Sequence, residues 1–158
     1  MNILDFRPPR IAQLFIVVAF LLHWLTPLHQ LVVYKNSFIG SVFGVGGFGI
    51  MLWAWWLFKQ NSTPVCPADQ PAVLVSSGIY RLTRHPMYLG IISMLLAIAL
   101  GVGTLPFYLV VLVYFIIINQ VFCPFEENRM VETFGDDYLV YQKQVRRWFL
   151  KIKKGADY

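Results

Sequence analysis

The sequence predicts an all-α fold: a polytopic membrane helix bundle of about four transmembrane helices, closed by a C-terminal amphipathic interfacial helix. Three observations carry that expectation. First, 58% of the 158 residues are hydrophobic and only 13% are charged, whereas soluble domains run at about 25% charged. Second, the apolar residues gather into four runs separated by polar stretches. Third, the cations are segregated. Arg7, Arg10, Lys59, Arg81, Arg84 and the seven basic residues after position 128 fall on one side of those runs, leaving only Lys35 on the other.

The composition also excludes other classes. An aromatic content of 16% rules out disorder. Two cysteines make no disulfide framework, and neither lies at metal-ligand spacing, so no metal site is expected. The net charge of +5 serves as a topology marker, and no nucleic-acid partner is expected from it. The length fits a single domain covering 1–158.

The first span is expected over residues 11–33, kinked at Pro27, with His29 near the far interface. The second covers 37–58. Its Gly40 and Gly44 form a small-xxx-small pair for close helix approach, and Trp53, Trp55 and Trp56 form an aromatic belt at its end. The third and fourth, 87–100 and 106–122, are short for a bilayer and are joined by Gly101, Gly103 and Thr104 in a tight antiparallel hairpin. The positive-inside rule then puts both termini and the long second loop in the cytoplasm. The amino terminus does not read as a cleaved signal peptide, because Asp5, Pro8 and Pro9 precede a hydrophobic run too long for one.

After Gly135 a new helix is expected over 136–152. Tyr138, Tyr141, Val145, Trp148, Phe149 and Ile152 recur on one face, with Lys143, Arg146, Arg147 and Lys151 elsewhere. That pattern reads as a helix lying on the inner leaflet, or as a solvated terminal anchor.

Polar groups are expensive in an apolar chain, so their clustering marks function. They crowd into two cytoplasmic segments, 72–90 and 125–135, which a hairpin of spans three and four returns to one face. The first contains SSGIYRLTRHPMYLG at 76–90, and the second begins at Phe125-Glu126-Glu127-Asn128-Arg129. Each residue also has a plain structural role open to it. Arg81 and Arg84 suit positive-inside anchors, His85 can cap the third span, and Pro86 belongs in a first helical turn. Tyr80 and Tyr88 suit an interface belt, and Arg129 can pair with Glu126 at i,i+3. The adjacent carboxylates are harder to dismiss, since one must find a cationic or donor partner. Cys66 and Cys123 each precede a proline and are expected to stay reduced.

The stretch LVSSGIYRLTRHPMYLG (74–90), followed by FEENRMVETFGDDYLVYQKQVRRW (125–148), resembles the isoprenylcysteine carboxyl methyltransferase family. That family groups with the phospholipid methyltransferases among integral-membrane enzymes using S-adenosyl-L-methionine. The resemblance covers about the carboxyl-terminal half and implies that cofactor here. Its site would fall on Ala72, Val73, Leu74 and Val75, on Tyr80, on His85, Pro86, Met87 and Tyr88, and on Glu126. His85, Glu127 and Arg84 become the candidate catalytic residues, with a lipophilic or prenylated small molecule, accompanied by membrane lipid, as partner. Carboxyl-methylating members carry an arginine one turn before the first glutamate; this chain has Phe122 there. Phe122, Arg129 and Arg81 are therefore the candidate substrate contacts, the two arginines as substitutes for the missing charge. A carboxylate acceptor needs no base, whereas an amine or thiol would draw on His85 or Glu127. Two rival readings stand beside this one: an NADPH-dependent sterol-reductase-like enzyme, which shares an Arg-His-x-x-Tyr-x-Gly segment but is much longer, and a non-catalytic membrane scaffold.

Overall fold

The computed structural model describes residues 8–25, 31–61 and 73–148. Among them every regular element is a helix, with one isolated bridge between Val32 and Thr104. Helix α1 (Pro8–Leu25) starts on two prolines, which suit a first turn because the N–H groups they lack would be unpaired there. Helix α2 (Ser37–Gln60) is capped by Asn36, whose side chain accepts from the Ile39 N–H at 3.0 Å. A short 3-10 turn (Gly78–Arg81) leads to α3 (Pro86–Val102), which ends at Gly103 with φ 83°. Helix α4 (Leu105–Ile117) then runs through a π-helical turn (Ile118–Phe122) into α5 (Cys123–Phe134), and α6 (Asp136–Gln144) follows Gly135.

Three of these stretches are long and apolar enough to cross a membrane: Pro8–Leu25, Ser37–Gln60 and Leu105–Phe134. The apolar α3 is shorter at 17 residues. Large apolar side chains such as Trp24 (80% exposed) and Phe38 (79%) point outward, as they must where the surrounding solvent is hydrocarbon. The tryptophans Trp53, Trp55 and Trp56 are likewise exposed at the end of α2.

Helices α2 and α3 pack backbone to backbone. A Cβ on Gly47 would stand 2.7 Å from the Gly90 carbonyl oxygen, and one on Gly90 would stand 2.7 Å from that of Gly47. Gly40 and Gly44 lie on the same seam against Ala97, so the expected small-residue pair belongs to a longer contact whose tightest point is Gly47–Gly90. On the other side α1 lays Ala19 against Phe107 and Val110 of α4, and Ile11 and Ala12 against Tyr88, Tyr114 and Phe122.

Three sequence expectations are corrected. The first span does not run over 11–33 as one helix. Helix α1 is described over Pro8–Leu25, and the chain from Leu31 to Lys35 is non-helical, with the Val33 N–H donating to the Gly103 carbonyl at 2.9 Å. Its hydrogen bonds go to the α3–α4 turn instead of to a helix of its own; Pro27 and His29 lie outside the described residues. The fourth span does not end at 122. Helix α4, the π-turn and α5 form one stretch of 30 residues, so the polar motif at 125–135 continues the span.

The last correction concerns the interfacial helix. Helix α6 stops at Gln144, and Val145 is extended (φ −119°, ψ 128°). Its apolar face is covered by protein: Tyr138, Tyr141 and Val145 are buried with Leu74, Met130, Val131 and Phe134 around them. The helix ends because residues 146–148 form hydrogen bonds across the molecule, as described below. Phe149, Ile152 and the last lysines lie outside the described residues, as does Cys66.

Candidate active site

The site is built on the loop between α2 and α3. Gly78 takes φ +57°, where a side chain would be strained, and a Cβ there would also meet Leu57 Cδ1 at 2.8 Å. The glycine thus lets the loop lie directly on α2. Tyr80 is buried beside Ala54, Leu57 and Val75, with the Phe58 ring edge-on at 5.4 Å. Burial pushes the Tyr80 hydroxyl pKa well up, with a smaller push from neighbouring Tyr141 and Glu126, so it stays neutral. The Tyr80 carbonyl accepts from Tyr141 Oη at 2.6 Å. Thr83, 1% exposed, donates through Oγ1 to the Arg147 carbonyl at 2.6 Å and accepts from the His85 N–H at 3.3 Å. The Arg84 N–H donates to the Arg146 carbonyl at 3.2 Å. These last bonds pull residues 145–148 out of helical conformation and stitch them to the motif.

His85 stands at the N-cap position of α3 but makes no capping bond with its side chain. Its ring instead lies between the two carboxylates of α5: Nε2 is 3.1 Å from Glu127 Oε1, and Nδ1 is 3.4 Å from Glu126 Oε2. Burial disfavours the charged imidazole, but hydrogen bonds with Cys123, Glu126 and Glu127 outweigh it and hold the pKa well above the usual 6.5. The ring is therefore an imidazolium at neutral pH. Tyr88, one helical turn on, stacks on it at 5.6 Å and donates its hydroxyl to Glu126 Oε1.

The neighbouring glutamates are treated differently. Glu127, 7% exposed, takes a two-bond fork from Arg147, Nε to Oε1 and Nη2 to Oε2, each at 2.9 Å. Arg84 Nη1 stands 3.3 Å from the same Oε1, off line for a hydrogen bond, so Arg84 Nε and Nη1 are buried without an acceptor among the described residues. Glu126 turns to Tyr88 and His85, and its side chain keeps 20% of its surface open.

Arg147 reaches further. Its Nη1 donates to the Asn119 carbonyl at 3.0 Å and to Asn119 Oδ1 at 3.2 Å, and Trp148 Nε1 donates to Oδ1 at 2.9 Å. The π-turn explains why that carbonyl is available. Within it the Cys123 N–H reaches back five residues to the Ile118 carbonyl. By the same spacing the Asn119 carbonyl should accept from residue 124, which is a proline with no N–H. Arg147 takes that place.

The structure thus brings Arg84, His85, Tyr88, Glu126 and Glu127 into one network, with Tyr80 and Met87 beside it on the α2 side. Pro86 is buried at the start of α3, and Phe122 packs in the cluster around Tyr88. Val75 is buried against Leu57, Leu74 packs on Tyr138 and Tyr141, and Val73 is exposed; Ala72 lies outside the described residues. Arg81 is exposed, and the Arg129 guanidinium lies 5.8 Å over the Phe125 ring. Sequence reasoning missed Arg147, Asn119, Trp148 and Thr83. Its signal for Arg147 was electrostatic: two adjacent carboxylates need more cations than Arg84 and His85 provide.

Residues 36–137, which hold both polar segments up to the start of α6, match the phospholipid methyltransferase family. The chain belongs to that family. It is a membrane methyltransferase, with the family's match running from α2 through the Glu126–Glu127 pair. An uncharacterised protein of Haemophilus influenzae is 39% identical over 62 residues, which cover 39% of this chain and 98% of that relative. A methanethiol S-methyltransferase of Pseudomonas deceptionensis is 40% identical over 68 residues, 42% of this chain and 24% of that enzyme. No solved structure matches.

Proposed function

We propose that this methyltransferase moves a methyl group from S-adenosyl-L-methionine to a lipophilic or small apolar acceptor carrying a thiol or amine. The observation that carries this reading is the unequal use of the two glutamates. Glu127 is fully engaged by Arg147, His85 and Arg84, whereas Glu126 keeps an open side next to a protonated imidazole and two tyrosines. Such a donor set fits the cofactor. Glu126 accepts from its ammonium or ribose hydroxyls, and the Arg84 N–H groups that lack an acceptor suit its carboxylate. Tyrosine faces suit the adenine or the sulfonium.

The cofactor supplies an electrophilic methyl group. What the protein's residues supply is alignment and exclusion of water, because an in-line displacement gains most from those. Neither candidate base is suited to remove a proton: His85 already holds one, and Glu127 is neutralised by its cations. A thiol or amine acceptor therefore gives up its proton to water before it is enclosed and reacts as the thiolate or the free amine. A carboxylate acceptor is less well served. Phe122 is 3% exposed in an apolar cluster, Arg147 is held in its fork with Glu127, and Arg84 is the group assigned above to the cofactor carboxylate. The site opens on the cytoplasmic side of a bacterial inner membrane, where twelve of the thirteen cations fall under the positive-inside rule. The acceptor enters from the bilayer.

The test is calorimetry of S-adenosyl-L-methionine binding in detergent, comparing the wild-type chain with Glu126→Ala, followed by mass spectrometry of products from parallel thiol, amine and isoprenylcysteine acceptors. Saturable wild-type binding lost in Glu126→Ala, with methyl appearing on thiol or amine, is the expected result. Equal affinity of the two chains removes Glu126 from the site. Methylation of the isoprenylcysteine alone returns the acceptor to a carboxylate, and no binding at all leaves a non-catalytic scaffold.

A further inference from the structure

We infer that Arg147, outside the two polar segments at 72–90 and 125–135, is the positioning residue that divides labour between Glu126 and Glu127; the inference rests on the cofactor reading above. Two adjacent carboxylates facing one imidazole have no intrinsic reason to behave differently. The difference is imposed from the carboxyl-terminal segment. Arg147 covers both oxygens of Glu127 at 2.9 Å and so fixes the plane of that carboxylate. A carboxylate held in that plane meets His85 Nε2 with Oε1 at 3.1 Å, which leaves Nδ1 aimed at Glu126. Orientation therefore passes from Arg147 to Glu127, then to His85, and then to the one carboxylate with an open side.

The guanidinium is itself immobilised from three directions. Its remaining nitrogen is held by the carbonyl and side chain of Asn119. Its own carbonyl accepts from Thr83, and the next residue, Trp148, shares the Asn119 Oδ1 acceptor. Only a planar fork with several donors meets this set. A lysine keeps the charge but offers a single point, so it cannot fix the carboxylate plane and fill the Asn119 acceptors at once.

The experiment measures S-adenosyl-L-methionine binding to the full-length chain in detergent, recording dissociation constant and stoichiometry separately. Arg147→Lys is expected to raise the dissociation constant about tenfold while the number of sites per chain stays near one. Glu127→Gln should give a similar rise, and the double variant should add little to either, because all three changes break the same chain of contacts. A merely structural role predicts the reverse: fewer binding-competent molecules with unchanged affinity. That result, or additive effects in the double variant, overturns the inference. If the wild-type chain binds no cofactor, the reading beneath the inference falls with it, and the wild-type titration alone reveals this. Arg147→Ala is unsuitable as sole probe because it leaves Glu127 buried with less compensation, and Arg147→Lys avoids that.

Discussion

Arg147 and Glu127 meet edge to edge, two parallel N–H···O bonds of 2.9 Å joining the end of the described chain to the upper part of its longest helical stretch. The contact is three-quarters or more sheltered on both sides, with side chains 25% and 10% exposed. Removing Glu127 strands Arg84 and Arg147 in a sheltered setting. Glu127→Ala should therefore cost about 3 kcal/mol, the lower end for a broken buried pair because Arg147 is part-exposed. Thermal unfolding in detergent checks it; a loss under about 1 kcal/mol would show the pair to act as an ordinary surface bridge.

His85 makes stability depend on pH. Its folded pKa lies well above the ordinary 6.5, so the stability it contributes is complete below that value and is lost as pH rises through the raised folded pKa. The chain should hold its melting temperature up to neutral pH and lose it progressively on the alkaline side. His85→Gln should flatten that alkaline limb. A limb of the same height in both proteins would assign the titration elsewhere.

The seam between α2 and α3 leaves no room for a methyl group at its tightest point. Gly47→Ala must push backbone atoms apart, since the nearest atom is the Gly90 carbonyl oxygen at 2.7 Å. A destabilisation of about 1–3 kcal/mol is expected. Gly46→Ala on the open side of the same helix meets nothing within 4 Å and should leave stability unchanged or slightly higher. Paired unfolding curves separate the two positions, and equal effects would deny the close seam.

Tyr141 ties α6 to the motif loop by a single bond to the Tyr80 carbonyl. Tyr141→Phe keeps the ring and leaves a buried carbonyl unpaired, at a cost of about 1–3 kcal/mol. Hydrogen exchange should also accelerate in the 78–85 loop, because that bond ties it to α6 beside its bonds to Arg146 and Arg147. Unchanged exchange there would show that Thr83 and Arg84 hold the loop without Tyr141.

Much of this architecture is legible in the sequence because hydrophobicity and charge sign are local properties. The run from Ser37 to Phe58 reads as a helix on its own terms, and the hairpin of the third and fourth spans follows from Gly103 and Thr104 between two apolar stretches. The meeting of His85 with Glu126 and Glu127 follows from that hairpin. The misreadings share one cause. Arg147 looks like any basic residue of a cytoplasmic tail, since its partners lie 20 and 28 residues away and no periodicity encodes them. Val145 looks helical by spacing, but hydrogen bonds of Arg146 and Arg147 to Arg84 and Thr83 favour an extended chain there. The fourth span reads as ending at 122, yet the wider turn over Ile118–Phe122 lets the helix continue past Pro124.

That wider turn acts as a phase shifter. A π-turn is an α-helix with one extra residue, and each residue turns the helix by about 100°. Below it, the span shows Leu112, Val113 and Ile116 outward, while Val110 and Tyr114 face the core. Above it, α5 must present Glu126 and Glu127 to His85, a different angular demand on the same rod. The extra residue reconciles the two without breaking the rod. Deleting one residue within 118–122 would leave the lipid-facing half correctly clocked and swing both carboxylates about 100° away from the imidazole. The apolar span and the candidate site are thus geared together by five residues, and their relative angle is a property the protein can change one residue at a time.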